Sequence, residues 1–109
     1  MSVEEPVQRQ LDAYNARDLA RFVAEYTDDI QVFVPPATAP LLSGKAAFAE
    51  HYRKNRFGLP HLHAEVVQRI VSGHTVVDHE RVTGLQAEVV EAVAVYRITD
   101  GLISSVWFY

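Results

Sequence analysis

Apolar positions recur at helical spacing through the first half of the chain and at strand spacing through the second. Val7, Leu11 and Tyr14 share one face after Pro6, a residue tolerated in a first turn, so residues from about 4 to 16 are predicted to form an amphipathic helix. Its polar face carries Gln8, Arg9 and Asp12. Asp18 is placed to cap a second helix whose apolar positions are Leu19, Phe22, Val23 and Tyr26, with Thr27-Asp28-Asp29 as polar punctuation after it. Asn15-Ala16-Arg17 makes the corner between the two. Ile30 to Val34 is β-rich and runs into Pro35-Pro36, which must begin a loop, expected to last to Ser43-Gly44. From Lys45 to about Asn55, Phe48 and Tyr52 lie four apart beside alanines, giving a third helix that ends before Gly58 and Pro60.

Leu62 to Val71, Thr75 to Thr83, Glu88 to Ile98 and Leu102 to Phe108 are rich in Val, Ile, Thr and aromatics. Turn residues separate them: Ser72-Gly73-His74, Gly84 and Asp100-Gly101. Consecutive strands with short turns predict an antiparallel meander. Three helices up front and a curved antiparallel sheet behind make an α+β layout, with the helices on one sheet face. No repeat, linker or low-complexity segment divides residues 1–109, and that length suits one domain.

The net charge of −4, with basic residues scattered singly, argues against nucleic acid or an anionic membrane as partner. No apolar run approaches the roughly 20 residues of a membrane span, and the first residues lack a signal-peptide pattern, so a cytoplasmic location is expected. With no cysteine, chemistry falls to His, Tyr, Asp, Glu and Arg. Eleven aromatic residues and five histidines are many for so short a chain.

Val7-Gln8-Arg9 leading to Asn15-Ala16-Arg17-Asp18-Leu19, then Tyr26-Thr27-Asp28-Asp29, then Ser43-Gly44-Lys45-Ala46-Ala47-Phe48 and Tyr52 resemble the NTF2-like superfamily. Within it the chain is most similar to SnoaL-like and ketosteroid-isomerase-like proteins. Val77-Asp78-His79-Glu80-Arg81-Val82-Thr83, the stretch Val95 to Ile103 and Trp107 fit the same pattern. The resemblance implies a cone, a strongly bent sheet wrapping the helices around an apolar pocket, and often a homodimer through the outer sheet face. Its motifs describe corners, caps and turns, so they bear more on fold than on function.

The resemblance also implies where catalytic groups should stand. The isomerase uses a general-base aspartate with a tyrosine and a protonated aspartic acid as oxyanion donors. Those positions fall on Val34, Gln10 and Ala94, none of which can do the same work. Epoxide-hydrolase-like relatives hold a water between two aspartates beside an arginine; the arginine matches Arg81, but the aspartates fall on Thr83 and Phe108.

Alternation puts Val77, His79, Arg81 and Thr83 on one face of their strand and Asp78, Glu80 and Val82 on the other. The resemblance takes the arginine side as the pocket side, places His63 inward on the preceding strand, and turns Ala92, Ala94 and Tyr96 inward on the next. Val106 and Phe108 follow on the last strand, and Gln10, Tyr14, Tyr26 and Tyr52 are the polar-tipped candidates from the helices. His79 or His63 would then act as general base while Arg81 and a tyrosine stabilise an oxyanion. The same side chains could instead satisfy one another in a buried polar cluster. Catalysis through them fails if His63, His79 and Arg81 point away from the cavity. Glu80, Glu88 and Glu91 are read as a solvated face, and exposure is the default for His51 and His74.

His61-Leu62-His63 has a spacing seen in metal sites, with His79 as a third ligand, but solvated or packed histidines are the expectation. No metal or organic cofactor is called for. Trp107 and Tyr109, if outward, would form an apolar patch suited to a homodimer. Two functions remain open: a pocket protein for a small apolar or carbonyl-bearing molecule, with acid–base isomerisation, cyclisation or hydration, or a non-catalytic binding or interaction module.

Overall fold

Pro6 stands in the first turn of α1 (Glu5–Asn15), where no backbone N–H is needed, and Asp18 accepts a hydrogen bond from the Arg21 amide to start α2 (Leu19–Val23). The computed structural model describes residues 2–109. After α2 come β1 (Tyr26–Phe33), the two-residue β2 (Leu42–Ser43), α3 (Lys45–Asn55), β3 (His63–Ser72), β4 (Thr75–Thr83), β5 (Val90–Thr99) and β6 (Leu102–Phe108). The sheet order is β2-β1-β6-β5-β4-β3, antiparallel except where β1 runs parallel to β6. All three helices end by Asn55, but α3 follows two strands rather than preceding the sheet.

Two boundaries differ from expectation. Tyr26 is not part of the second helix; it opens β1, and the strand continues through Thr27-Asp28-Asp29 to Phe33. Pairing of Tyr26 with Ile103, and a hydrogen bond from the Ile103 amide to the Glu25 carbonyl, draw this stretch into the sheet despite its polar residues. Leu42–Ser43, expected in a loop, pair antiparallel with Val32 and Gln31.

A third difference decides what the site contains. On β4, Val76, Asp78 and Val82 are buried on the helix side with Glu80, while Val77, His79 and Arg81 take the outer side. This is the reverse of the expected orientation. Two valines lie on the inner side against one on the outer, and the partners of Asp78 and Glu80 on β5 are Ala94 and Ala92. On β3, Ala64 is buried and His63 exposed, again the opposite of expectation.

β3 meets this arrangement with a bulge at Val67. Val66 pairs with Glu80 and Gln68 with His79, so Val67 is the extra residue. Beyond it the parity of β3 flips, and Arg69 turns inward to face Asp78. Arg69 Nε and Nη2 donate to the two Asp78 carboxylate oxygens at 2.7 and 3.0 Å, and Nη1 donates to Gln8 Oε1 at 2.9 Å. Asp78 is 0% exposed. The pair therefore ties β4, β3 and α1 together. The Asn15 side chain adds a second tie, donating to the Ala64 carbonyl at 2.9 Å and accepting from its amide at 2.8 Å on the edge strand.

Removing one partner of a buried ion pair leaves an unpaired charge. Arg69→Met is expected to lower stability by about 3–5 kcal/mol, and Arg69→Met with Asp78→Leu to recover most of that loss, both measured by urea unfolding.

Candidate functional site

A cavity of about 320 Å³ lies between the inner sheet face and the helices. Leu11, Phe22, Val32, Ala64, Val82 and Ala92 form much of its apolar wall, and Val34 and Leu41, 43% and 63% exposed, mark where it meets solvent. Small residues on neighbouring strands leave the space: Ala92 stands opposite Glu80, and Ala64 opposite Val82.

The deep wall carries a connected polar chain. The Tyr26 hydroxyl donates to Gln10 Oε1 at 2.9 Å, Gln10 Nε2 donates to the Val7 carbonyl at 3.0 Å and the Tyr96 hydroxyl at 3.4 Å, and Tyr96 donates to Glu80 Oε1 at 3.2 Å. The Val7 carbonyl can only accept, so it fixes the amide orientation of Gln10 and with it the direction of the chain. Glu80 Oε2 takes no hydrogen bond from the described residues. Burial, reinforced by the Asp78 charge, lifts the Glu80 carboxyl to about 7, against the pull of Tyr96 and Arg69. A carboxyl that titrates near neutrality can give or take a proton at working pH.

The other polar wall comes from α1 and α3. Burial pushes Tyr14 up to about 12 in spite of the neighbouring Arg56 guanidinium, so its hydroxyl stays a neutral donor. Burial likewise raises Tyr26, Tyr52 and Tyr96 well above the ordinary tyrosine range. His51, held by Asn55 at 3.2 Å, lies on this wall with its pKa lowered by burial and then by Arg56.

Among the residues expected at the site, Gln10, Tyr14, Tyr26, Val34, Tyr52, Tyr96 and Phe108 line the cavity. Ala94 is buried beside it in the core, paired with Asp78 and Phe108. His79 and Arg81 do not reach it; both lie on the outer face, where they meet Glu91 Oε1 at 3.2 and 2.9 Å. His63 is exposed. Chemistry in this cavity therefore does not run through His63, His79 or Arg81, because the parity of β3 and β4 turns all three away. Among the described residues no three His, Asp or Glu side chains converge to hold a metal ion.

Glu80, Arg56 and His51 were missed from the sequence. The charge of Glu80 points to a solvated face, although valines two residues away on either side of the Asp78-Glu80 pair put those carboxylates on the more apolar side of the strand. Arg56 and His51 carried no such signal, since the wall they join forms only when α3 packs across the sheet.

The SnoaL-like domain family matches residues 7–106. No curated protein matches the sequence significantly. Among solved structures, an uncharacterised cystatin-fold protein from Novosphingobium aromaticivorans is 27% identical over 100% of this chain and 98% of its own, with a TM-score of 0.89. The Δ5-3-ketosteroid isomerase from Mycobacterium sp. is 23% identical over 98% of this chain and 91% of its own, with a TM-score of 0.81. A SnoaL-like protein of unknown function from Burkholderia thailandensis is 20% identical over 98% and 92%, also at 0.81. The last two share the fold with this chain.

Because the folded state raises the Glu80 pKa from 4.5 to about 7, it holds that proton more tightly than the unfolded chain does. The stabilisation is full below about pH 4.5 and is lost as pH rises through about 7. Glu80→Gln removes this titration, so the stability of the variant relative to the parent is expected to rise by about 3 kcal/mol between pH 4 and pH 8 in urea unfolding. A pH-independent difference would contradict the burial of this carboxylate.

Proposed function

The chain belongs to the SnoaL-like domain family, and on that premise we propose that it binds a small apolar, carbonyl-bearing molecule in the cavity and moves a proton on it with Glu80. The observation that carries this is the Glu80 carboxyl, set in an apolar cavity with one oxygen held by Tyr96 and the other without a protein partner. The cavity volume lies at the lower end of the range for small-molecule sites. Three register shifts, near Val67, between Arg97 and Ile98 and between Tyr26 and Gln31, support a sheet bent strongly into a cone around it.

The chemistry follows from the positions. Glu80 Oε2 takes a proton from a carbon beside the ligand carbonyl, and the C–H electron pair moves into the enolate. The neutral Tyr14 hydroxyl on the facing wall is a donor for the oxygen that gains charge. Return of the proton from Glu80 to another carbon is an isomerisation; attack of the enolate carbon on a second carbonyl opens its C=O π bond, whose oxygen takes the proton back from Glu80, and is a cyclisation. Neither needs a redox step.

Thermal-shift measurements with neutral steroid-like, terpenoid and polyketide-like ketones test binding, since a ligand above its dissociation constant raises apparent stability. For a ketone that binds, Glu80→Gln is expected to slow exchange of the carbon-bound proton with solvent deuterium by about 10²–10⁴-fold, followed by NMR, while leaving binding in place. Unchanged exchange would remove Glu80 as the base and leave a binding protein.

A specific observation also favours association through the outer sheet face. Ile70, Val77, Val95, Trp107 and Phe33 are cross-strand neighbours in one row, with Trp107 stacked on Phe33 at 5.4 Å. We infer a homodimer that buries this row in a two-fold contact. Val95→Glu is expected to yield a folded monomer in analytical ultracentrifugation and to retain ligand binding; a monomeric parent protein would refute the dimer.

A further inference from the structure

Most arginines near the sheet and helices meet a carboxylate: Arg9 meets Glu25, Arg21 meets Asp18, Arg53 meets Glu50, Arg69 meets Asp78 and Arg81 meets Glu91. Arg56 has no such partner within 4.0 Å among the described residues. It is half-buried just past the end of α3, donates to the carbonyl of its own neighbour Asn55, and forms part of the cavity wall beside Tyr14 and His51. No lysine lines the cavity, and Glu80 is the carboxylate that does.

A neutral occupant would take water away from this guanidinium and give it no counter-charge, which costs free energy. An anionic occupant would do the opposite. The planar guanidinium can grip a carboxylate through two parallel N–H groups. The apolar wall then accepts the remainder of the molecule.

We propose that the ligand is a small amphipathic carboxylate, whose anionic group is held by Arg56 while its apolar body fills the cavity alongside Glu80. This inference rests on the cavity being the ligand site. It narrows the ligand from any carbonyl-bearing molecule to one with a carboxylate at the end facing Arg56, such as an oxo acid.

Two nearly isosteric probes separate charge from shape: 4-phenylbutanoate and 4-phenylbutanamide, titrated calorimetrically into the full chain. The carboxylate is expected to bind at least tenfold more tightly than the amide. Arg56→Gln should erase that preference and Arg56→Lys should retain part of it, with the circular dichroism spectrum unchanged in both. Equal binding of the two probes by the parent protein, or a preference that survives Arg56→Gln, overturns the inference and leaves the cavity as a ligand site. Binding of neither probe also overturns it, and the neutral ketone series, which uses no anion, then decides whether the cavity binds ligands at all.

Discussion

The buried Arg69–Asp78 ion pair is the constraint on which the rest of the site depends. A fully buried carboxylate is tolerated only with a partner, and its partner reaches it only because the Val67 bulge turns β3 over by one residue. With Asp78 held inward, alternation carries Val76, Glu80 and Val82 inward too and sends His79 and Arg81 to the opposite face. The pair also acts on the Glu80 carboxyl at a distance. The Asp78 charge helps to lift the Glu80 carboxyl, and the Arg69 charge partly offsets it.

Around that constraint the interior divides into a packed part and an open part. Phe22 stacks on Phe48, Tyr52 packs tilted against both, and Tyr26 packs tilted against Phe22 and Phe48, filling the space beneath α2 and α3. Toward β3, β4 and β5 the inward positions include Ala64 and Ala92, and the space they do not fill is cavity. The polar chain Tyr26–Gln10–Tyr96–Glu80 runs along the boundary between these parts. Each member takes a partner within the chain, so the buried hydroxyls and amide are satisfied while the last carboxylate oxygen is left to the cavity.

Much of the architecture was legible from local signals. The spacing of Val7, Leu11 and Tyr14, the Asp18 cap, the Phe48–Tyr52 pair and the turns at Gly73 and Asp100-Gly101 place two helices, a helix start and the four-strand meander close to where they stand. The start of β1 was not legible, because Thr27-Asp28-Asp29 lie in a register shift of the strand and are carried into it by the pairing of Tyr26 before them and Gln31 after them with β6. Gln10, Tyr14, Tyr26, Tyr52, Tyr96 and Phe108 line it, helped by their similarity in place to a known fold, whereas Ala94 and Val106 are buried beside it and His63, His79 and Arg81 lie outside it.

By itself the sequence determined the order and type of most elements, the α+β class, and the two alternating sets of side chains on β4. The tertiary structure decided which set faces the helices, with only the Val76 and Val82 pair on β4 as a local sign. Alternation has a period of two and carries no sign, so pairing with the neighbouring strands chooses the face, and the one-residue bulge in β3 turns Arg69 to the side of Asp78. That choice replaced a histidine and an arginine with a glutamate in the cavity, and the packing of α3 across the sheet supplied the arginine from elsewhere in the chain.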